Sequence, residues 1–92
     1  MPYIKQENRV KFFPVFDALL ESEGINNAGE LNYLITCICN QYLYKKGESY
    51  QTYADIVSSL ENAKLEYYRK KIGPYEDKKE LENGAINEEC NA

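Results

Sequence analysis

Residues 28–67 read AGELNYLITCICNQYLYKKGESYQTYADIVSSLENAKLEY. The apolar positions run Leu31, Leu34, Ile35, Ile38, Tyr42, Leu43, then pause at Gly47-Glu48-Ser49, then resume as Tyr53, Ile56, Val57, Leu60, Ala63, Tyr67. Both series advance by three or four residues, the spacing that lines one face of an α-helix. The pattern predicts an all-α protein built on an antiparallel helical hairpin. Asn27 can cap the first rod, with Glu30 three residues on reaching back as in a capping box. Lys45 and Lys46 suit the negative end of that helix and Gly47 suits a left-handed stop, so Ala28 to Lys46 should be helical, about 28 Å at 1.5 Å per residue. Ser49 or Thr52 caps the second rod, Thr52 and Asp55 having the capping-box spacing, and Gly73-Pro74 should end it near Ile72.

On the N-terminal side, Met1 to Lys5 reads as an extended lead-in. Gln6 to Ser22 carries Val10, Phe12, Phe13, Phe16, Leu19 and Leu20 in a helical pattern broken by Pro14. Proline lacks an amide proton and clashes with the turn before it, which predicts a short first turn and a helix restarting near Pro14, closed by Gly24. This helix is expected to pack across the hairpin as a three-helix bundle. On the C-terminal side, Tyr75 to Leu81 reads either as a short charged helix or as extended chain. The domain organisation expected is a helical domain over 1–81 and a flexible acidic tail over 82–92.

A second apolar line, Leu65, Tyr68 and Ile72, runs along another side of the second rod. One hairpin partner cannot cover both lines, so these three residues are the predicted oligomer interface. Length points the same way, because 92 residues make one domain at most and a small core, which such chains supplement with disulfides, metal or self-association. Cys37 and Cys39 point about 200° apart on a helix, and with no signal sequence in view the thiols are expected to be reduced in a cytoplasmic protein. A chain without histidine or a CxxC pair offers no structural zinc site. Self-association remains, as a dimer or higher symmetric oligomer.

The run Leu34 to Cys39 is far shorter than the roughly 20 residues that cross a bilayer, so no membrane span is expected. A net charge of −4 argues against duplex nucleic acid as a partner. Without histidine there is no histidine-based triad, and Cys39 reads as a small buried hydrophobe rather than a nucleophile. Glu61 with Glu66, or Glu76 with Asp77, has the look of an acid–base pair, but 15 acidic residues on helical surfaces produce such pairs by chance. The five glycines form no phosphate-cradling motif. No cofactor, metal or catalytic residue is predicted, and the protein is not expected to be an enzyme.

Lys64 to Lys79 is the densest stretch, and Tyr67, Tyr68, Arg69, Lys71 and Tyr75 are its candidate contacts. Tyrosine rings can stack on a planar group while the cations meet phosphate or carboxylate, which suits a small anionic nucleotide-like ligand. The same residues also read as boundary packing, with basic side chains favouring a helix C-terminus and tyrosines sealing a core. Tyr42, Tyr44, Tyr50 and Tyr53 cluster at the hairpin turn as a second patch, readable as a partner surface or as boundary filler.

The opening MPYIKQENR over 1–9, GELNYLIT over 29–36, LENAKLEYYR over 60–69 and PYEDK over 74–78 resemble a family of small uncharacterised proteins from phages, prophages and bacteria. The resemblance spans roughly residues 1–84. Asn8 stands where that pattern has an acidic residue, and Asn62 where it has a small residue or cysteine. The resemblance brings no assigned activity. It implies a stoichiometric binder, acting in the host cytoplasm in counter-defence or host takeover by sequestering a nucleotide signal or masking a host protein. The alternative is a structural or assembly protein whose oligomerisation is its role.

Overall fold

A computed structural model describes residues 2–86, and every regular element among them is helical. The described chain falls into two compact units, one of Tyr3–Ser59 and one from Leu60 onward together with Pro2.

The first unit opens with two 3-10 turns, Gln6–Asn8 and Val10–Phe12, which lead directly into α1, Phe13–Glu21. Pro14 occupies the first turn of α1, where its missing amide proton breaks no helical bond. The helix ends three residues before Gly24: Ser22 turns extended and its hydroxyl donates to the Leu19 carbonyl at 2.9 Å. Helix α2 covers Ala28–Lys46, as its end signals predict. The Glu30 amide donates to Asn27 Oδ1 at 2.9 Å. The Glu30 carboxylate accepts from the Asn26 amide at 3.0 Å, so the box closes one residue earlier than the usual pattern. Gly47, at φ 83°, takes the left-handed position that ends α2, and its amide donates to the Leu43 carbonyl at 2.7 Å.

Helix α3, Tyr50–Tyr67, starts in the first unit and continues into the second. Of the two candidate caps it is Ser49 that serves, its Oγ accepting from the Thr52 amide at 3.1 Å. Thr52 instead donates its hydroxyl to the Gly47 carbonyl at 2.8 Å, tying the start of α3 to the end of α2. It is the most withdrawn side chain among the described residues, 4% exposed.

Gly73-Pro74 does not stop the helix, contrary to the sequence expectation. A π turn over Tyr68–Ile72 carries α3 into α4, Gly73–Asn83, which settles Tyr75 to Leu81 as helical. Proline inside a continuous α-helix would remove one bond and press its ring on the carbonyl four residues back. Here Pro74 lies in the first turn of α4, and the wider π turn before it gives that carbonyl room. The Gly73 amide closes the π turn by donating to the Tyr68 carbonyl five residues back. Helix α4 includes Glu82 and Asn83, the first residues of the expected tail. Residues 87–92 of that tail lie outside the described residues.

No apolar side chain among the described residues is buried. Phe16 is 54% exposed, Ile38 61% and Leu65 54%, and Ile72 is half-buried. The apolar face of α1 is therefore not covered by the chain's own elements, as the three-helix bundle would require. No helix among the described residues is long and apolar enough to cross a membrane.

A glycine-to-alanine change inside a helix ordinarily stabilises by about 1 kcal/mol. At Gly73 a Cβ would stand 3.2 Å from the Tyr68 carbonyl oxygen, the backbone group that the π turn uses. Gly73→Ala is accordingly expected to leave Tm unchanged or lower it in a circular-dichroism melt. A rise of several degrees would mean that the wide turn does not require glycine.

Candidate functional site

The second unit redistributes the residues that the sequence groups together. Tyr67, Lys71 and Tyr75 recur at intervals of four, and Lys79 extends the series. Four-residue spacing keeps side chains on one side of a helix. The result is a strip that alternates ring and cation along the end of α3, the π turn and α4. Tyr67 and Tyr75 are 61% and 59% exposed. Lys79 Nζ lies 5.6 Å from the centre of the Tyr75 ring, a cation–π arrangement, and also meets Glu82 at 3.1 Å.

Arg69 does not belong to that strip. It stands two residues from both Tyr67 and Lys71, on the far side of the helix from each. Its Nη2 meets both oxygens of the half-buried Glu66 carboxylate, at 3.0 and 3.2 Å. Tyr68 groups with Leu65 and Ile72 at spacings of three and four, so it shares the predicted interface line rather than the strip. Lys79 closes the stretch that the sequence singles out but is not among the five contacts chosen from it. Carrying the helical register through Gly73-Pro74 would have found it.

A flat anionic ligand matches this alternation chemically. The ring faces offer stacking, and each ammonium can meet a phosphate or carboxylate oxygen without the fixed fork of a guanidinium. Of the acidic residues weighed as an acid–base pair, Glu61 meets Lys64 at 3.2 Å and Glu66 meets Arg69. Cys37 and Cys39 are unbridged and half-buried. Among the described residues no three histidine, cysteine or acidic side chains converge to hold a metal ion.

The tyrosines at the Gly47 turn divide into two kinds. Tyr42 donates its hydroxyl across the turn to Asp55 Oδ2 at 2.7 Å, and Gln51 Nε2 donates to Asp55 Oδ1 at 2.7 Å. Tyr53 donates to the Glu48 carboxylate. Tyr44 and Tyr50 stand out in solvent, 82% and 97% exposed. The Tyr42 hydroxyl, then the Gln51 amide, holds the Asp55 carboxyl below its ordinary range, and the same bond holds the Tyr42 phenol above its ordinary 10.0.

Both shifts favour one protonation state, a neutral phenol beside a charged carboxylate. The depressed Asp55 contributes stability that is present above its ordinary pKa of 3.8 and is lost as pH falls through its lowered folded value. The raised Tyr42 contributes stability that is present below 10.0 and is lost as pH rises through its folded value. Tyr42→Phe should therefore lower Tm at neutral pH, with the gap to wild type closing at both extremes in melts taken from pH 2 to pH 12. A gap that is constant with pH would show that the bond plays no part in stability.

No curated protein and no solved structure matches the chain. A family described as Domain of unknown function (DUF6899) matches residues 1–86, which takes in α1 to α4, the π turn and the whole Tyr67–Lys79 strip. With 86 of its 92 residues matched, the chain belongs to the DUF6899 family.

Proposed function

We propose that this protein is a non-enzymatic binder of the phage counter-defence or host-takeover kind, working as a homo-oligomer that sequesters a nucleotide-like signal. The carrying observation is the exposed alternation Tyr67, Lys71, Tyr75, Lys79 along one helix side, with Lys79 already seated over the Tyr75 ring. Stacking surface and positive charge alternate there at steps of about 6 Å, four residues at 1.5 Å each, which suits a ligand with both a flat base and phosphates. Tyr68 and Arg69 lie off the strip, Tyr68 on the Leu65–Ile72 line and Arg69 paired with Glu66. A partner host protein presenting an acidic, aromatic surface would engage the side chains of the strip.

A second reading is favoured by a different observation, the lack of any buried apolar side chain among the described residues. On this reading the assembly itself is the function and the strip is only an interface. Both readings place antiparallel packing of α2 on α3, and coverage of Leu65, Tyr68 and Ile72, within an oligomer.

Titration of the purified protein with a panel of cyclic nucleotides and adenosine-ribose compounds separates the two. Binding heat from at least one compound is the result expected, with affinity falling roughly five- to 150-fold for Tyr75→Ala, since one stacked base is worth about 1–3 kcal/mol, and falling also for Lys71→Glu, each variant keeping wild-type helicity. Silence across the panel, with a solution mass that is a discrete multiple of 10.7 kDa, would favour the assembly role instead.

A further inference from the structure

We infer that the apolar face of α1 docks on α2 of a second copy of this chain, each copy giving its α1 and receiving its partner's. The inference rests on the oligomeric reading above and assigns the surfaces that make it.

Two uncovered surfaces lie within the same unit. On α1 and the turn before it, Phe12, Phe13, Phe16 and Leu20 are between 43% and 83% exposed. Phe13 and Phe16 face the same way, their ring centres 6.3 Å apart. On α2, Leu31, Ile35 and Ile38 are between 40% and 61% exposed and recur at spacings of four and three, one side of the rod.

Charge placement identifies α2 as the receiving element. From Leu31 to Tyr44 the helix carries no charged residue, although Glu30 precedes that stretch and Lys45-Lys46 follow it. Helix α4, by contrast, is charged at Glu76 to Glu80 and at Glu82. A solvated helix keeps charged residues on its outer face, whereas the centre of an interface is depleted of them.

Area fixes the occupant. Half-exposed aromatic and large aliphatic side chains offer roughly 100 Å² each, so the seven residues named give about 700 Å² per copy, close to the ~800 Å² that each partner contributes to a standard interface. Because one chain holds both the donor and the receiving face, a second copy closes both at once. Pairing α2 with α2 would leave the phenylalanines bare. Reciprocal exchange of a terminal element is a low-cost route to such a dimer.

The test places a photoreactive benzoylphenylalanine at Phe16 of the full-length protein and maps the crosslinks by mass spectrometry, with solution mass measured by light scattering. A doubled-mass band joining position 16 to a peptide within 28–46 is the expected product. Ile38→Glu should cut its yield at least tenfold. Crosslinks to α1 of another copy, or within one chain only, overturn the assignment while a multiple of 10.7 kDa in solution leaves the oligomeric reading standing. A mass of 10.7 kDa overturns both.

Discussion

Removal of apolar surface from water is the constraint on which this structure turns, and among the described residues it is left unmet. Every regular element among the described residues is helical, yet no apolar side chain among them is buried. Helices of 9 to 19 residues are marginal on propensity alone, and most of their stability in proteins comes from packing an amphipathic face. What holds the chain locally is a set of short polar devices: Asn27 with Glu30 at the start of α2, Ser49 and Thr52 at the start of α3, and Tyr42 with Asp55 across the turn. A helix cap is worth about 1 kcal/mol, which directs chain ends but does not replace a core.

The π turn at Tyr68–Ile72 links fold and site. A helix that broke at Gly73-Pro74 would leave Tyr75 and Lys79 on a separate segment with no defined register to Tyr67 and Lys71. The wide turn absorbs the proline and keeps the four residues in sequence along one side. Gly73 stands at the junction, and its missing side chain leaves room beside the Tyr68 carbonyl. Single π turns inside α-helices recur at functional sites.

Much of this was legible in the sequence, and the line between what was and was not is physical. Both ends of α2 could be read because capping is decided by bonds spanning three or four residues, and Asn27, Glu30 and Gly47 carry the whole instruction. The restart at Pro14 was legible for the same reason. The run through Gly73-Pro74 was not, because the rule that proline stops a helix assumes α geometry on both sides. Apolar periodicity located the faces of α1, α2 and α3 but could not say what covers them, since coverage depends on elements distant in sequence or on another chain. The grouping of Arg69 with Tyr67 and Lys71 failed for a simpler reason: neighbours in sequence are opposites around a helix.

The division between uncharged and charged helical surfaces gives the proposed roles different physical signatures. An assembly built on Phe12, Phe13, Phe16 and the uncharged centre of α2 depends on apolar area, which salt does not weaken and sulfate strengthens. Capture of an anion by Lys71 and Lys79 depends on exposed charge, which is screened beyond about 8 Å at physiological ionic strength. Tyr67 and Tyr75 retain their stacking contribution under that screening, so ligand affinity would fall with salt only to a floor set by the rings. Assembly that persists where capture weakens is the behaviour of a scaffold carrying a site. If both fell together, the lysines would have to lie in the subunit contact itself.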